Sequence, residues 1–425
     1  MLHFASETSL RIDLNTYEIP AVFNTFCEKV GEDNWINRAK KIRGEIKGNN
    51  ALSQYLSRDN EMALMFDGLS RLRGKYGRLP TDVHSLRPYY TAMGFAAQTL
   101  SLLADSSASN SKRLLGRVRG AFKNPDDMRA MQVELLAATH FIRKGFRIDW
   151  PEATNGRHDI DVIGLGSHGL QVECKSISSD KGRKIHRREA LEFYSIFVKC
   201  LAKKAKALST GVILVVTVPD RLPTQYSARL QLCSRMLDQF ELRESCVFDD
   251  QVEIRIEEFD FSPIGAHYIG NTWKGERDIL DRITGTTGEE IMIFQNKSGG
   301  GVVAVVQSKK DDSFLEATFS TLEFSAKKQV SNTKPVLFFV SFHDLEDGEL
   351  REIGDESKAE PTALRVFTST FLNRQDMGHV VGVHYAERGS LVPRIGGVHS
   401  HTGSTYSFKN ADSPFWEQAF ESLFL

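Results

Sequence analysis

The sequence predicts an α/β protein in three parts: a helical region over 1–123, a mixed-sheet core flanked by helices over 124–262, and a C-terminal α/β region over 263–425. Three observations predict it. Apolar residues recur at three- and four-residue spacing through the N-terminal part of the chain. A capped helix, a glycine-turned hairpin, a helix and an apolar strand follow one another between 124 and 218. A second hairpin, helix and strand run from 291 to 342, beyond a Pro/Gly segment at 263–275 that reads as a boundary. The similar order of the two suggests a degenerate internal repeat, although hairpin, helix and strand also follow one another without duplication.

Composition narrows the class. With 425 residues, 41% hydrophobic and 26% charged, the chain is long enough for about two to four folded domains. Its start carries no basic stretch followed by an apolar one, and no apolar run nears the roughly 20 residues that cross a bilayer. A cytoplasmic protein without a membrane partner is expected. The five cysteines, Cys27, Cys174, Cys200, Cys233 and Cys246, are scattered and form no Cys-x-x-Cys pair, so reduced, packed thiols are expected rather than a zinc or iron–sulfur site. A net charge of -1 argues against indiscriminate coating of nucleic acid. Basic residues still cluster at 38–47, 71–78, 112–123, 181–188 and 199–206, most of them expected on solvated helix faces.

Taken in order, 36–46, 51–76 and 89–103 read as helices, broken at Gly48-Asn49-Asn50, Gly77 and Pro80, and the Ser/Ala/Asn run 106–111 reads as a loop. This region holds no catalytic motif. It is expected to regulate, to bind DNA, or, like the C-terminal region, to mediate self-association or contact with a partner protein. The next helix, 125–144, is well marked: Asn124 can cap, Pro125 suits the first position, Asp126 and Asp127 favour the first turn, and Gly145 ends it. Met131, Leu135, Ala138 and Ile142 form its apolar stripe, and Glu134 falls inside that stripe. Such a carboxylate either bonds locally at the stripe's edge or serves a metal.

The stretch His158 to Ser178 reads as two short strands joined by a glycine-containing turn, after a strand at 146–150 and a polar loop at 151–157. Glu173 and Lys175 share one face of the second strand by alternation, with Cys174 on the other. Asp159 and Asp161 join that face only if the turn leaves an odd number of unpaired residues. Gly164, Gly166 and Gly169 allow several turns. Beyond it, 181–188 supplies Lys181, Arg183, Lys184, His186, Arg187 and Arg188, expected beside the acids where a phosphate backbone would lie. A helix at 189–208 and the apolar strand 212–218 then imply a parallel partner for the Glu173 strand. Further on, a helix at 226–240, strands near 246–248 and 252–259, strands within 364–412 and a terminal helix at 416–425 are expected. His379, His384, His399 and His401 lack acidic or cysteine partners at ligand spacing and are expected near the surface.

Three acids and a lysine in a half-buried hairpin need pairing, a metal or shifted pKa values. A hard divalent ion such as Mg²⁺, held by one or two carboxylates such as Asp161 and Glu173, keeps several waters and lowers the pKa of one of them. Lys175 could then orient that water or stabilise the charge of a phosphoryl transition state. Glu134 on the preceding helix, Asp161 in Asp-Ile-Asp-Val-Ile and Glu173-Cys174-Lys175 after a Gly turn together resemble the PD-(D/E)xK, or restriction-endonuclease-like, nuclease superfamily over about 125–220. The resemblance implies a restriction-endonuclease-like mixed sheet flanked by helices and Mg²⁺-dependent cleavage of nucleic acid, usually DNA, with Mn²⁺ as a substitute. It makes Asp161 and Glu173 metal ligands with the Cys174 carbonyl as a third, Lys175 the catalytic lysine, and Glu134 the accessory acid. Ile160 stands where the family has proline, which leaves Asp159 as a rival to Asp161. The expected role is an endonuclease, in restriction or anti-phage defence; the alternative is a non-catalytic nucleic-acid-binding scaffold on the same fold.

Overall fold

Two mixed sheets organise the chain. The computed structural model describes residues 17–48, 52–150, 158–265, 268–269, 272–273, 277–286, 290–343, 353–354, 361–387, 390–394, 397–401 and 405–424. The first sheet begins with β1 (Arg147–Asp149), β2 (Ile160–Ile163) and β3 (Leu170–Ser178), an antiparallel meander. It continues through Val336–His343 and Val380–Glu387, each parallel to its neighbour, and ends on antiparallel Thr405–Lys409. All eight residues of Val336–His343 are buried, as the central strand of a covered sheet requires.

Helices cover both faces. On one, the Pro125–Arg143 helix packs Leu135 and Ala138 against Val172, Leu337 and Phe339. The same cluster takes in Trp35, Phe66 and Phe95 from the N-terminal helices, and Leu114, Val118 and Ala121 from the Ala108–Ala121 helix. On the other face, Phe338, Val340 and Phe342 meet Phe319 and Leu322 of the Phe314–Lys328 helix and Leu364 and Phe371 of the Ala363–Leu372 helix.

The second sheet runs Cys246–Val247, Glu253–Phe259, Gly211–Val218, Gly301–Ser308, Ile291–Gln295. Its central pair is parallel, from Gly211↔Gly301 to Val218↔Ser308. The helices Arg187–Ala205 and Tyr226–Leu242 pack on it through Phe193, Phe197, Leu201, Leu232 and Met236.

The chain accordingly divides into two units: described residues of Met1–Gly44, Ser57–Lys181 and Phe314–Leu425 form the first, and Glu45–Leu56 with Gly182–Ser313 the second. This corrects the boundaries expected at 123/124 and 262/263. Residues 182–313 leave the first unit's chain after β3 and return before the Phe314–Lys328 helix, and within the second unit Ser313 N–H donates to the Gly182 carbonyl at 3.2 Å. The expected partnership of β3 with 212–218 is also corrected, because that strand pairs with Gly301–Ser308 while β3 pairs with Val336–His343. The suggested repeat goes with it, since its hairpin and its strand belong to different sheets.

Local readings differ in four places. Residues 106–111 are the start of the Ala108–Ala121 helix, whose Ser107 cap accepts from Asn110 N–H at 3.3 Å. The segment 51–76 is two helices, Ser53–Asp59 and Glu61–Tyr76. Part of 364–412 is the Ala363–Leu372 helix, and the C-terminus is a 3-10 helix over Gln418–Leu423. The expected 151–157 loop lies outside the described residues. No helix among the described residues is long and apolar enough to cross a membrane.

Because the N-terminal helices and the sheet share one apolar cluster, a chain beginning at residue 124 should not fold its first unit: removing Trp35, Phe66, Phe95, Leu114 and Val118 strips the layer that covers Leu135 and Val172. Near-UV circular dichroism and a thermal melt of that fragment check this, and a single cooperative transition with native side-chain signal would contradict it.

Candidate active site

The carboxylate cluster forms where the β2–β3 ladder ends. The last hydrogen-bonded register on that side pairs Ile160 with Val172, whereas β3 runs on to Ser178. Beyond that point the edge of β3 offers main-chain donors that β2 no longer meets. Asp159, just before β2, takes one: its Oδ2 accepts from Cys174 N–H at 2.8 Å. A carboxylate thereby replaces a strand as the ladder partner, and its charge is held at the sheet's broken edge.

Register settles which side chains share a face. Asp161 lies opposite Gln171, and seven residues, 163 to 169, separate the last pair, Val162↔Leu170. That odd number puts Asp159, Asp161, Gln171, Glu173 and Lys175 on the same side by alternation. Gly164, Gly166 and Gly169 all take positive φ, 82°, 70° and 70°, which is how the chain turns so tightly here. Across the parallel ladder Glu173 neighbours Phe338 and Lys175 neighbours Val340, so both charged residues stand on a face otherwise packed with apolar side chains.

Lys175 is pinned. Its Nζ lies 2.6 Å from Glu173 Oε1 and donates to Gln329 Oε1 at 2.7 Å, just past the Phe314–Lys328 helix. The loop carrying Gln329 is tied down too, since Ser331 N–H donates to Gln171 Oε1 at 3.0 Å.

From the other face comes Glu134, 3% exposed within the apolar stripe of its helix. That helix has the expected cap, with Asn124 Oδ1 accepting from Asp126 N–H at 3.1 Å. Glu134 Oε1 accepts from Arg117 of the Ala108–Ala121 helix. Burial first, and then the charge of Asp159, push the Glu134 carboxyl up to about 8, against the pull of Arg117. Burial and Asp159 likewise push Glu173 up to about 7, against Lys175. Burial raises Asp159 as well, with the Cys174 N–H and Lys175 acting in the opposite sense. The Cys174 thiol is pushed well above its ordinary value by burial and by these three acids.

The structure thus brings Glu134, Asp159, Glu173 and Lys175 together and turns Asp161 elsewhere. Asp161 Oδ1 lies 2.8 Å from Nε2 of His158, a buried ring. Of the two rival aspartates it is Asp159 that interacts with Glu134, Glu173 and Lys175. Sequence reasoning gave no role at this site to Arg117, Gln329 or His158. Arg117 had a legible signal, Ser107 followed by Leu114, Val118 and Ala121 at helical spacing. Gln329 had none, because only tertiary pairing brings it to β3.

The basic segment is held by ion pairs within its own unit. Lys181 ends the first unit and Gly182 opens the second, so Arg183, Lys184, Arg187 and Arg188 belong to the second. There Arg187 Nε lies 3.1 Å from Glu290, Arg183 within 3.9 Å of Glu290 and 3.8 Å of Asp312, and Arg188 Nε 3.0 Å from Glu192. Lys184 donates its backbone N–H to Asp312 Oδ1 at 2.8 Å. His186 caps the Arg187–Ala205 helix instead of lining a site. The expected placement rested on the crossover returning to the sheet of β3, and it does not. His379 and His384, expected near the surface, are buried, hydrogen-bonded to Ala326 O at 3.1 Å and Ser407 Oγ at 2.6 Å. The side chains of His399 and His401 lie outside the described residues.

Glu134 Oε2 and Glu173 Oε2 are buried and have no hydrogen-bond partner. Unpartnered carboxylate oxygens beside a half-buried third acid are the donor chemistry a hard divalent cation takes. Among the described residues, no group of three or more His, Cys, Asp or Glu side chains is gathered closely enough to hold a metal. A cation held here would have to take most of its ligands from water. Compared with known proteins, the chain matches no protein family, no curated protein and no solved structure at a significant level.

The raised carboxyls have a pH consequence. Below about pH 4.5 they are neutral in folded and unfolded chain alike; as pH climbs toward 7–8 the unfolded chain ionises while the folded one keeps its protons. Metal-free stability should therefore fall across that window. Glu134→Gln and Glu173→Gln should each flatten the fall between pH 5 and pH 8, measured by urea unfolding in EDTA; slopes equal to the parent's would contradict the buried-acid account.

Proposed function

We propose that the first unit is a divalent-metal-dependent nuclease that hydrolyses phosphodiester bonds, with DNA as its substrate. The observation that carries this reading is the cluster at the end of the β2–β3 ladder: two buried acids, each with an unpartnered oxygen, a half-buried third, and a lysine fixed by two acceptors. Buried acids weaken a fold even when each has a partner, and a cluster of them with raised pKa values is accounted for by chemistry more readily than by packing. A mixed sheet with helices on both faces is the architecture that resemblance to PD-(D/E)xK nucleases leads one to expect.

Each residue has a role that follows from its surroundings. Asp159 and Glu173 would hold the cation from the ladder edge and the strand, with the Cys174 carbonyl as a main-chain donor and Glu134 as the accessory acid. A bound Mg²⁺, or Mn²⁺ in its place, would neutralise phosphate charge and lower the pKa of a water. Lys175 keeps its ammonium at one place, because Glu173 and Gln329 take two of its donors and leave the third for the attacking water or a phosphoryl oxygen. Asp161 orients His158 and stands outside this set.

Wild-type protein should cleave plasmid or linear DNA with Mg²⁺ or Mn²⁺ and stop in excess EDTA. Lys175→Ala and Asp159→Ala should lose roughly 100-fold or more in single-turnover rate while melting as the parent does. Asp161→Ala should lose far less than Asp159→Ala. A fully active Lys175→Ala, or cleavage undiminished by EDTA, would sink the mechanism, and the reverse order of the two aspartates would restore Asp161 as the ligand.

A further inference from the structure

The geometry points to Arg117 as a substrate-contacting residue of this site, a guanidinium supplied by the N-terminal helices to grip the phosphate of the strand being cut. The inference rests on the nuclease reading for its ligand and on independent geometry for its residue. Arg117 lies on the Ala108–Ala121 helix, outside the stretch that carries the family resemblance, in a basic run whose other members read as a solvated helix face. Its side chain pairs with Glu134, of which only 4% is exposed, and Asp159 is its next acidic neighbour. Yet the Arg117 side chain itself remains 40% exposed. The guanidinium is anchored on a buried acid, by a side chain that as a whole still reaches solvent.

Anchoring of that kind prepares a phosphate grip. Guanidinium offers five N–H donors in a rigid plane, and the Glu134 bond takes one. Holding the plane by one edge removes rotamer freedom before the ligand arrives, so less is lost when a phosphate takes the opposite edge. Charge bookkeeping points the same way. A bound divalent ion would displace the protons that Glu134 and Glu173 hold in the metal-free site, leaving three carboxylates against Arg117 and Lys175, a net of one negative before the ion's own charge is counted. A divalent ion turns this to one positive, the complement of a phosphodiester. Without Arg117 the same loaded site would be neutral, and with Lys175 held by Glu173 and Gln329 no other cation of the cluster faces solvent to this extent.

A mere counter-ion for Glu134 and a phosphate contact make different predictions. Affinity for a fluorescein-labelled DNA duplex, measured by anisotropy in Ca²⁺ over a range of NaCl, reads the contact without requiring turnover; KM and kcat in Mg²⁺ read it during cleavage. Arg117→Gln should weaken binding about 10- to 100-fold. It should also lower the slope of log affinity against log salt by about one, and raise KM. Arg117→Lys keeps the charge and the Glu134 pair but loses the planar fork, so it should retain the salt slope and lose about 10-fold in kcat/KM. If Arg117→Gln melts and binds as the parent does with an unchanged slope, the proposal fails. Should that variant not fold, an Arg117→Lys protein with parental kcat/KM overturns it equally. Wild-type protein that cleaves no substrate in any divalent metal would defeat the nuclease reading instead, while the binding slopes still decide Arg117.

Discussion

The pairing on which the first unit depends is the parallel ladder between β3 and Val336–His343, unbroken from Gln171↔Val336 to Ser178↔His343. It joins segments separated by the whole of 182–313. Without it β3 would have a free edge beyond Val172 on both sides, and Glu173 would stand in water with an ordinary acidity. With it, one edge of β3 is fully satisfied and the other is left open for the few residues that β2 does not reach. That asymmetry makes the site. The open edge hands a main-chain donor to Asp159, while the closed edge packs Phe338 and Val340 beside Glu173 and Lys175 and removes the water that would screen them.

Local signals are legible where they act over a few residues. The Asn124 cap, the stripe holding Glu134, and the alternation putting Glu173 and Lys175 on one face are set by neighbours in sequence, and the structure has all three. The choice of parallel partner is not local. Val212–Val218 and Val336–Phe342 are both short runs, apolar but for Thr217 and Ser341, each preceded by a helix, and nothing in either marks which sheet it enters. Proximity along the chain is a poor guide, because closing a loop twice as long costs only about 0.6 kcal/mol more. The nearer strand was favoured for a reason that carries little free energy, so one wrong pairing moved the domain boundaries, the repeat and the basic segment together.

The two aspartates illustrate a finer limit. Alternation gives Asp159 and Asp161 the same side of the hairpin, and resemblance selected Asp161. What separates them is where the ladder stops. Asp161 is inside β2, opposite Gln171, so its main chain is engaged and its carboxylate turns to His158. Asp159 is one step outside the strand: its own N–H still donates to the Val172 carbonyl at 3.2 Å, and its carboxylate takes the next hydrogen-bonding position, at the Cys174 N–H. A sequence can state the period of a strand far better than it can state the residue at which pairing ends.

The site also explains why so much apolar structure surrounds it. Acids whose burial raises their own pKa values weaken the fold at neutral pH, and that deficit has to be offset elsewhere. The offset comes from two clusters, one on each face of the sheet, and the larger is built mostly from the N-terminal helices. Those helices therefore cannot be a detachable regulatory module. They bury the helix that carries Glu134, and one of them turns Arg117 back onto it, so the layer that stabilises the sheet is also the layer that sets the charge of the site. A substitution deep among Trp35, Phe66 and Phe122 would then act on the proposed chemistry at a distance, through the position of the Arg117 guanidinium, with no need of any contact to the proposed substrate.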